Sequence, residues 1–112
     1  MSPHRGEVWL IDFGEPVGRE QSGRRPAVIV SADPLNDSRA GVTIVVPLTT
    51  TARGLPSHIE IDKHRSGLDE VSYAKCEDVK SIAGQRLIAQ LGAVEEQAMF
   101  QIARALRFLL DL

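Results

Sequence analysis

The feature that most constrains this chain is the run at residues 42–48 (VTIVVPL), a nearly continuous aliphatic and β-branched stretch, with a shorter companion at 27–30 (AVIV). A strand with one wet face alternates apolar and polar residues, whereas an unbroken apolar run belongs to a strand covered on both faces. Two such strands need layers above and below them, and the chain has 112 residues from which to build those layers. That length fits one domain spanning residues 1–112, which buries roughly two-thirds of the surface exposed by its unfolded chain.

The other segments read as the material of those layers. Residues 7–13 (EVWLIDF) form a first strand closed by Gly14. Residues 14–26 carry Gly14, Pro16, Gly18, Gly23 and Pro26 and almost nothing apolar, the signature of a long loop of the functional or mobile kind. Asp33 before Pro34 reads as an N-cap with proline at the first helical position, hence one short helical turn. A second loop at 49–57 (TTTARGLPS) leads into HIEID, where Ile59 and Ile61 alternate with charged residues as in a half-exposed strand. Val71, Tyr73, Val79, Ile82, Leu87, Ile88 and Leu91 imply two or three further short strands, with Gly84 at a turn or irregularity.

At residue 94 the period changes. From there to residue 112, Ala98, Met99, Ile102, Ala103, Leu106, Leu109 and Leu110 share one helical arc, and Gln97, Gln101, Arg104, Arg107 and Asp111 fill the opposite one. Glu95 and Glu96 suit the positive end of this amphipathic helix. Short strands and one terminal helix predict a mainly β (α+β) fold, a small curled or barrel-like sheet on which the helix packs. Phe100 and Phe108 fall within the polar arc beside Arg104, either partly covered by the arginine stem or offered to a partner.

Composition narrows the setting. The single cysteine, Cys76, cannot close an internal disulfide, which fits a reducing compartment. No secretory leader is recognisable, and the longest apolar run falls far short of the ~18 residues of a membrane helix, so a soluble cytoplasmic domain with no membrane partner is expected. Lys and Arg total 13 against 15 Asp and Glu, for a net charge of -2 and a pI near 5.9. Nucleic-acid-binding domains often have a pI above about 9, but a phosphate site needs only a few local cations, whose positions the sum does not report.

Several chemistries lack their residues. His4, His58 and His64 are scattered without ligand spacing, which predicts no metal site and no cofactor, and neither a phosphate-binding P-loop nor a serine nucleophile elbow is present. Cys76 has no neighbouring histidine in sequence to activate it and reads as a small buried hydrophobe.

Three segments remain. In REQSGRRPAVIVS, Arg24 and Arg25 stand where a loop becomes a strand, and Pro26 biases Arg25 toward extended backbone. Adjacent residues of an extended chain point to opposite faces, so one of the two can face a pocket and its fork can hold a phosphate; otherwise both lie on a solvated face. In VTIVVPLTTTARG, a buried strand ends in three threonines, which either deliver a hydroxyl to an anionic oxygen or end the strand as turn residues. In YAKCEDVKSI, Lys75 and Glu77 are two apart on a predicted strand, hence on one face, as an acid and base side by side or as a simple ion pair.

Taken in order, RGEVWLIDFG, VGREQSGRRPAVIVS, VTIVVPLTT and CEDVKSI resemble the MazF/PemK (Kid) toxins of bacterial toxin–antitoxin pairs over nearly the whole chain. The resemblance implies a small SH3-like β-barrel with a C-terminal helix, a homodimer, and a metal-independent endoribonuclease that cuts single-stranded RNA and is neutralised by a cognate antitoxin. The family's arginine before proline matches Arg25, and its threonine after Pro-Leu matches Thr49, which makes these the expected catalytic pair. Its glutamate-glutamine pair falls on Glu20 and Gln21. Arg19 stands where Kid-like members carry histidine, Lys75-Cys76-Glu77 replaces their Arg-Cys-Asp, and Asp78 stands where MazF-like members often have glutamine.

RNA supplies its own nucleophile, so such an enzyme must deprotonate the 2′-hydroxyl, stabilise a dianionic phosphorane-like state and protonate the leaving 5′-oxygen. Fixed donors aimed at developing charge contribute about 3 to 4 kcal/mol apiece, a role that suits Arg25 and Thr49. Arginine is a poor base, so Glu77 or Glu20 is the candidate base and Lys75 the candidate acid, with Arg19, Gln21 and Asp78 as RNA contacts. The resemblance implies 2′,3′-cyclic phosphate and 5′-hydroxyl ends.

Two other readings compete. A gyrase-inhibiting toxin of the same fold, like CcdB, depends on a Trp-Gly-Ile-type C-terminus, whereas this chain ends Leu-Leu-Asp-Leu with its one tryptophan at position 9. A peptide-binding adaptor of the SH3 type needs clustered aromatics, and aromatic content here is 4%.

Overall fold

The computed structural model describes residues 2–15 and 23–112. The strands are β1 (Glu7–Asp12), β2 (Arg24–Ile29), β3 (Val42–Thr49), β4 (His58–Ile61), β5 (Ser72–Lys75), β6 (Lys80–Ala83) and β7 (Leu87–Ala93), with a short helix α1 (Asp33–Asn36) and a long one, α2 (Glu96–Leu110). Together they form one antiparallel sheet in the order β4-β5-β3-β2-β1-β7, with β6 also on β3.

The aliphatic run forms β3, and its two edges explain its composition. Val45, Val46 and Pro47 pair with β2 on one edge, while the other edge is divided between β6 (Val42 to Val45) and β5 (Leu48 and Thr49). Alternate residues of β3 enter two different cores. Val46 and Leu48 join Val8, Val28, Ile61, Ala74, Cys76 and Ile102 beneath α2, and Val45 joins Trp9, Ile11, Phe13, Ala27, Ile29 and Ile82 on the other side. Ile82 of β6 and Leu87 of β7 meet in this second core although β3, β2 and β1 lie between them in the sheet. The sheet is therefore curled around that core, as the barrel expectation requires.

Helix α2 starts at Glu96, with Glu95 as its N-cap residue, and ends on Asp111 in the left-handed conformation (φ 56°). Ala98, Met99, Ile102, Ala105 and Leu106 hold it on the sheet, Ile102 being fully buried. Leu109 and Leu110, expected on the buried arc, are 40% and 54% exposed, because the last turn projects beyond the apolar core. Phe100 and Phe108 are 59% and 86% exposed, so the Arg104 stem leaves both rings largely open.

The N-cap of α1 is Ala32, and Asp33 is its first helical residue. The Asp33 carboxylate is drawn away from a capping role by the Arg5 backbone N–H at 2.9 Å and the His4 ring at 3.3 Å.

Two glycines let chain segments cross where no side chain fits. A Cβ on Gly67 would lie 1.9 Å from the Leu91 carbonyl oxygen, and one on Gly92 would lie 2.2 Å from the Arg65 carbonyl oxygen. This crossing pins the segment before β5 against β7, where the Ala93 N–H donates to the Arg65 carbonyl at 3.0 Å. Gly67→Ala, which also has to adopt φ 75°, is expected to destabilise the fold by roughly 1–3 kcal/mol. Ile102→Ala should cost about 2–5 kcal/mol by opening a cavity under α2. Urea unfolding of both variants checks these values.

Candidate active site

The site grows from the register of four neighbouring strands. On β2, Ile11 of β1 lies opposite Arg25, and Asp12 lies opposite Arg24. Arg25 therefore shares a face with Ala27 and Ile29, and Arg24 points to the other face. The two arginines lie on opposite faces, as alternation demanded. On β3, Pro47 lies opposite Ala27, and continuing that register by two residues sets Thr49 opposite Arg25. Thr49 in turn pairs with Tyr73 of β5, and Tyr73 with Glu60 of β4. Arg25, Thr49, Tyr73 and Glu60 thus form a row across the sheet, with neighbouring strands about 4.7–4.9 Å apart. In the adjacent row, Lys75 is paired with His58 on the same face.

Thr49 is the last residue of its strand. Its hydroxyl accepts the Thr51 N–H at 3.2 Å, which fixes the side chain at the rim and turns the chain into the loop that follows. Of the two roles weighed for the threonine run, this bond is the turn role.

Lys75 and Glu77 do not lie side by side. The strand stops at Lys75, and residues Cys76–Asp78 form a 3-10 turn that swings Glu77 toward β4. In 3-10 geometry residues three apart eclipse one another, and Lys75 accordingly pairs with Asp78, Nζ to Oδ2 at 3.0 Å. Glu77 is held from the other side: Ser57 Oγ donates to Oε1 at 2.9 Å and His58 Nε2–H to Oε2 at 2.7 Å. Burial alone would raise this carboxyl, but the hydrogen bonds from His58, the backbone and Ser57 outweigh burial and hold it below the usual carboxylate range.

His58 and Ser57 are site residues that sequence reasoning missed. The alternation of HIEID showed that His58 is on a strand, but its contact with Glu77 spans 19 residues and has no local signature. The Lys80 ammonium lies 5.5 Å from the centre of the Phe13 ring. Cys76 is fully buried, and burial together with Glu77 pushes its thiol up to about 11, which leaves it unreactive. Among the described residues, no group of three or more His, Cys, Asp or Glu could hold a metal ion. Arg19, Glu20 and Gln21 lie outside the described residues. The described residues on either side of them are joined by paired backbone bonds, Phe13 N–H to Gly23 O at 2.9 Å and Gly23 N–H to Gly14 O at 2.8 Å, next to the strand end that carries Arg25.

A family model of PemK-like, MazF-like toxins of type II toxin–antitoxin systems matches residues 4–110. Endoribonuclease MazF9 of Mycobacterium tuberculosis is 35% identical, with 96% of each chain covered. The crystal structure of MazF from Deinococcus radiodurans superposes with a TM-score of 0.85 at 25% identity, covering 100% of this chain and 99% of the other. A mycobacterial endoribonuclease in complex with its cognate antitoxin superposes with a TM-score of 0.81 at 27% identity, covering 99% and 97%.

Because Glu77 is depressed in the folded state, it stabilises the fold above its unfolded pKa, and that contribution disappears as pH falls through the lower folded value. The stability difference between the wild type and Glu77→Gln should therefore be largest near neutral pH and shrink below about pH 4.5, the ordinary value for this group. Denaturant titrations of both proteins at several pH values measure it, and a constant difference would contradict the hydrogen-bonded carboxylate.

Proposed function

Since the chain belongs to the PemK-like, MazF-like toxins of type II toxin–antitoxin systems, we propose that it is a sequence-specific, metal-independent endoribonuclease acting on single-stranded RNA. The observation that supports this reading is the β2–β3 register, Ala27 opposite Pro47, which extended by two residues brings Arg25 and Thr49 onto one face. A guanidinium fork and a hydroxyl one strand apart suit the non-bridging oxygens of one phosphate, and both are anchored on strands.

In the proposed reaction a base removes the proton of the 2′-hydroxyl, and the 2′-oxygen attacks the adjacent phosphorus. A new P–O2′ bond forms, the P–O5′ bond breaks, and the departing 5′-oxygen takes a proton. The products are a 2′,3′-cyclic phosphate and a 5′-hydroxyl. Arg25 and Thr49 stabilise the negative charge that grows on the non-bridging oxygens, where such donors act most strongly. Lys75, steadied by Asp78, is the proposed proton donor. A carboxyl held below its usual range by His58 and Ser57 is a weaker base, so Glu77 is proposed to orient substrate and the base role passes to Glu20. Arg19, Gln21 and Asp78 are proposed RNA contacts.

Three further parts of the reading concern partners and place. A cognate antitoxin is proposed to neutralise the protein, as in the mycobacterial complex, and its contact is proposed to include the exposed Phe100 and Phe108. Two copies are proposed to combine, so that each groove gains length and cations beyond what one slightly acidic domain offers. Among the described residues no helix is long and apolar enough to cross a membrane, and the cytoplasm is the proposed location, where the RNA is. A gyrase-binding role is disfavoured, because the matched relative is an endoribonuclease.

Arg25→Ala and Thr49→Ala should each lower the cleavage rate on single-stranded RNA by about 10²–10³-fold while leaving the protein folded. Mapping cut ends in total RNA should show discrete sites, and chelation with EDTA should leave the rate intact. Full activity in a folded Arg25→Ala protein would refute the assignment.

A further inference from the structure

Of the five aromatic rings, Trp9 and Phe13 are buried in the barrel core, while Phe100 and Phe108 stand on α2. Tyr73 is different: it belongs to neither apolar core and is half-buried. Its neighbours on β5, Ser72 and Ala74, are buried, and Ala74 packs beneath α2. Alternation therefore turns Tyr73 to the opposite face, the one that presents Thr49 directly across from it. Lys75, two residues along the same strand, shares that face.

We infer that Tyr73 is a base-stacking residue, a platform for the nucleobase adjoining the phosphate held by Arg25 and Thr49. The inference rests on the ribonuclease reading and adds to it a residue that fixes substrate position. Cross-strand neighbours have Cβ atoms about 4.5–5.5 Å apart, so a sugar attached to a phosphate at Thr49 can set its base over a ring on the next strand. Single-stranded RNA is held in this manner, with unstacked bases laid on aromatic side chains, and a flat half-buried ring pays little conformational entropy for the contact. Phosphate contacts are blind to the base; the ring at Tyr73 gives the site its first grip on the base itself.

Stacking predicts a specific pattern of losses. Tyr73→Leu should reduce kcat/KM on a single-stranded RNA carrying the mapped cut site by roughly 5- to 150-fold, mostly through KM, while Tyr73→Phe and Tyr73→Trp stay within about twofold of wild type. Replacing the nucleotide on one side of the cut by an abasic one should slow the wild type and erase its advantage over Tyr73→Leu. The inference is overturned if Tyr73→Leu, with unchanged Tm, cleaves the intact RNA like wild type. It is equally overturned if Tyr73→Leu loses the same factor on abasic substrates of both kinds, or if Tyr73→Phe loses as much as Tyr73→Leu. Loss of cleavage in Arg25→Ala beside full activity in Tyr73→Leu would leave the nuclease standing and remove only the platform. A wild type that cuts no RNA would remove both.

Discussion

Backbone hydrogen bonding along β3 is the constraint on which the rest of this molecule depends. Its eight residues satisfy three partners, β2 on one edge and β6 and β5 in succession on the other. Dividing one edge between two strands forces the sheet to part there. The β6 branch curls back until Ile82 and Leu87 close the barrel core, and the β5 branch continues outward with β4. Arg25, Thr49, Tyr73 and Lys75 lie on the face where these two branches separate. Buried apolar residues of β3 fix the position of its polar end, so the placement of Thr49 follows from the packing of Val45, Val46 and Leu48.

The electrostatics are local, and they explain how the proposed RNA site can sit on a chain of net charge -2. Two acidic groups beside the site are individually engaged. Asp78 takes Lys75, and Glu77 takes His58 and Ser57. A carboxylate that already accepts such donors presents less negative field to an approaching phosphate than its formal charge suggests. The same engagement separates roles that the sequence placed together, since Lys75 and Glu77 end up with different partners on either side of a 3-10 turn.

Much of the fold was legible because periodicity is a local property. The strand runs and the terminal helix appear where alternation or a 3.6-residue period placed them; three short strands follow residue 71, where two or three were expected, and the helix starts at Glu96 rather than residue 94. Misreadings arose where a third element intervened. Asp33 lost its capping role to Arg5 and His4, and Leu109 and Leu110 are exposed because an amphipathic arc does not report where the opposing sheet ends. His58 and Ser57 were invisible because hydrogen bonds across 19 and 20 residues leave no pattern in either segment.

By itself the amino-acid order determined which residues alternate, which runs must be covered on both faces, and that Arg24 and Arg25 cannot share a face, because side-chain direction along an extended chain is set by backbone stereochemistry alone. Its ordered blocks also sufficed to indicate the toxin family. Only the tertiary structure decided that Arg25 shares a face with Ala27 and Ile29, that Thr49 pairs with Tyr73, and which donor holds which carboxylate. Those facts depend on strand register, and register is settled by which apolar residues of different strands pack together, a choice made in space between segments far apart in the chain.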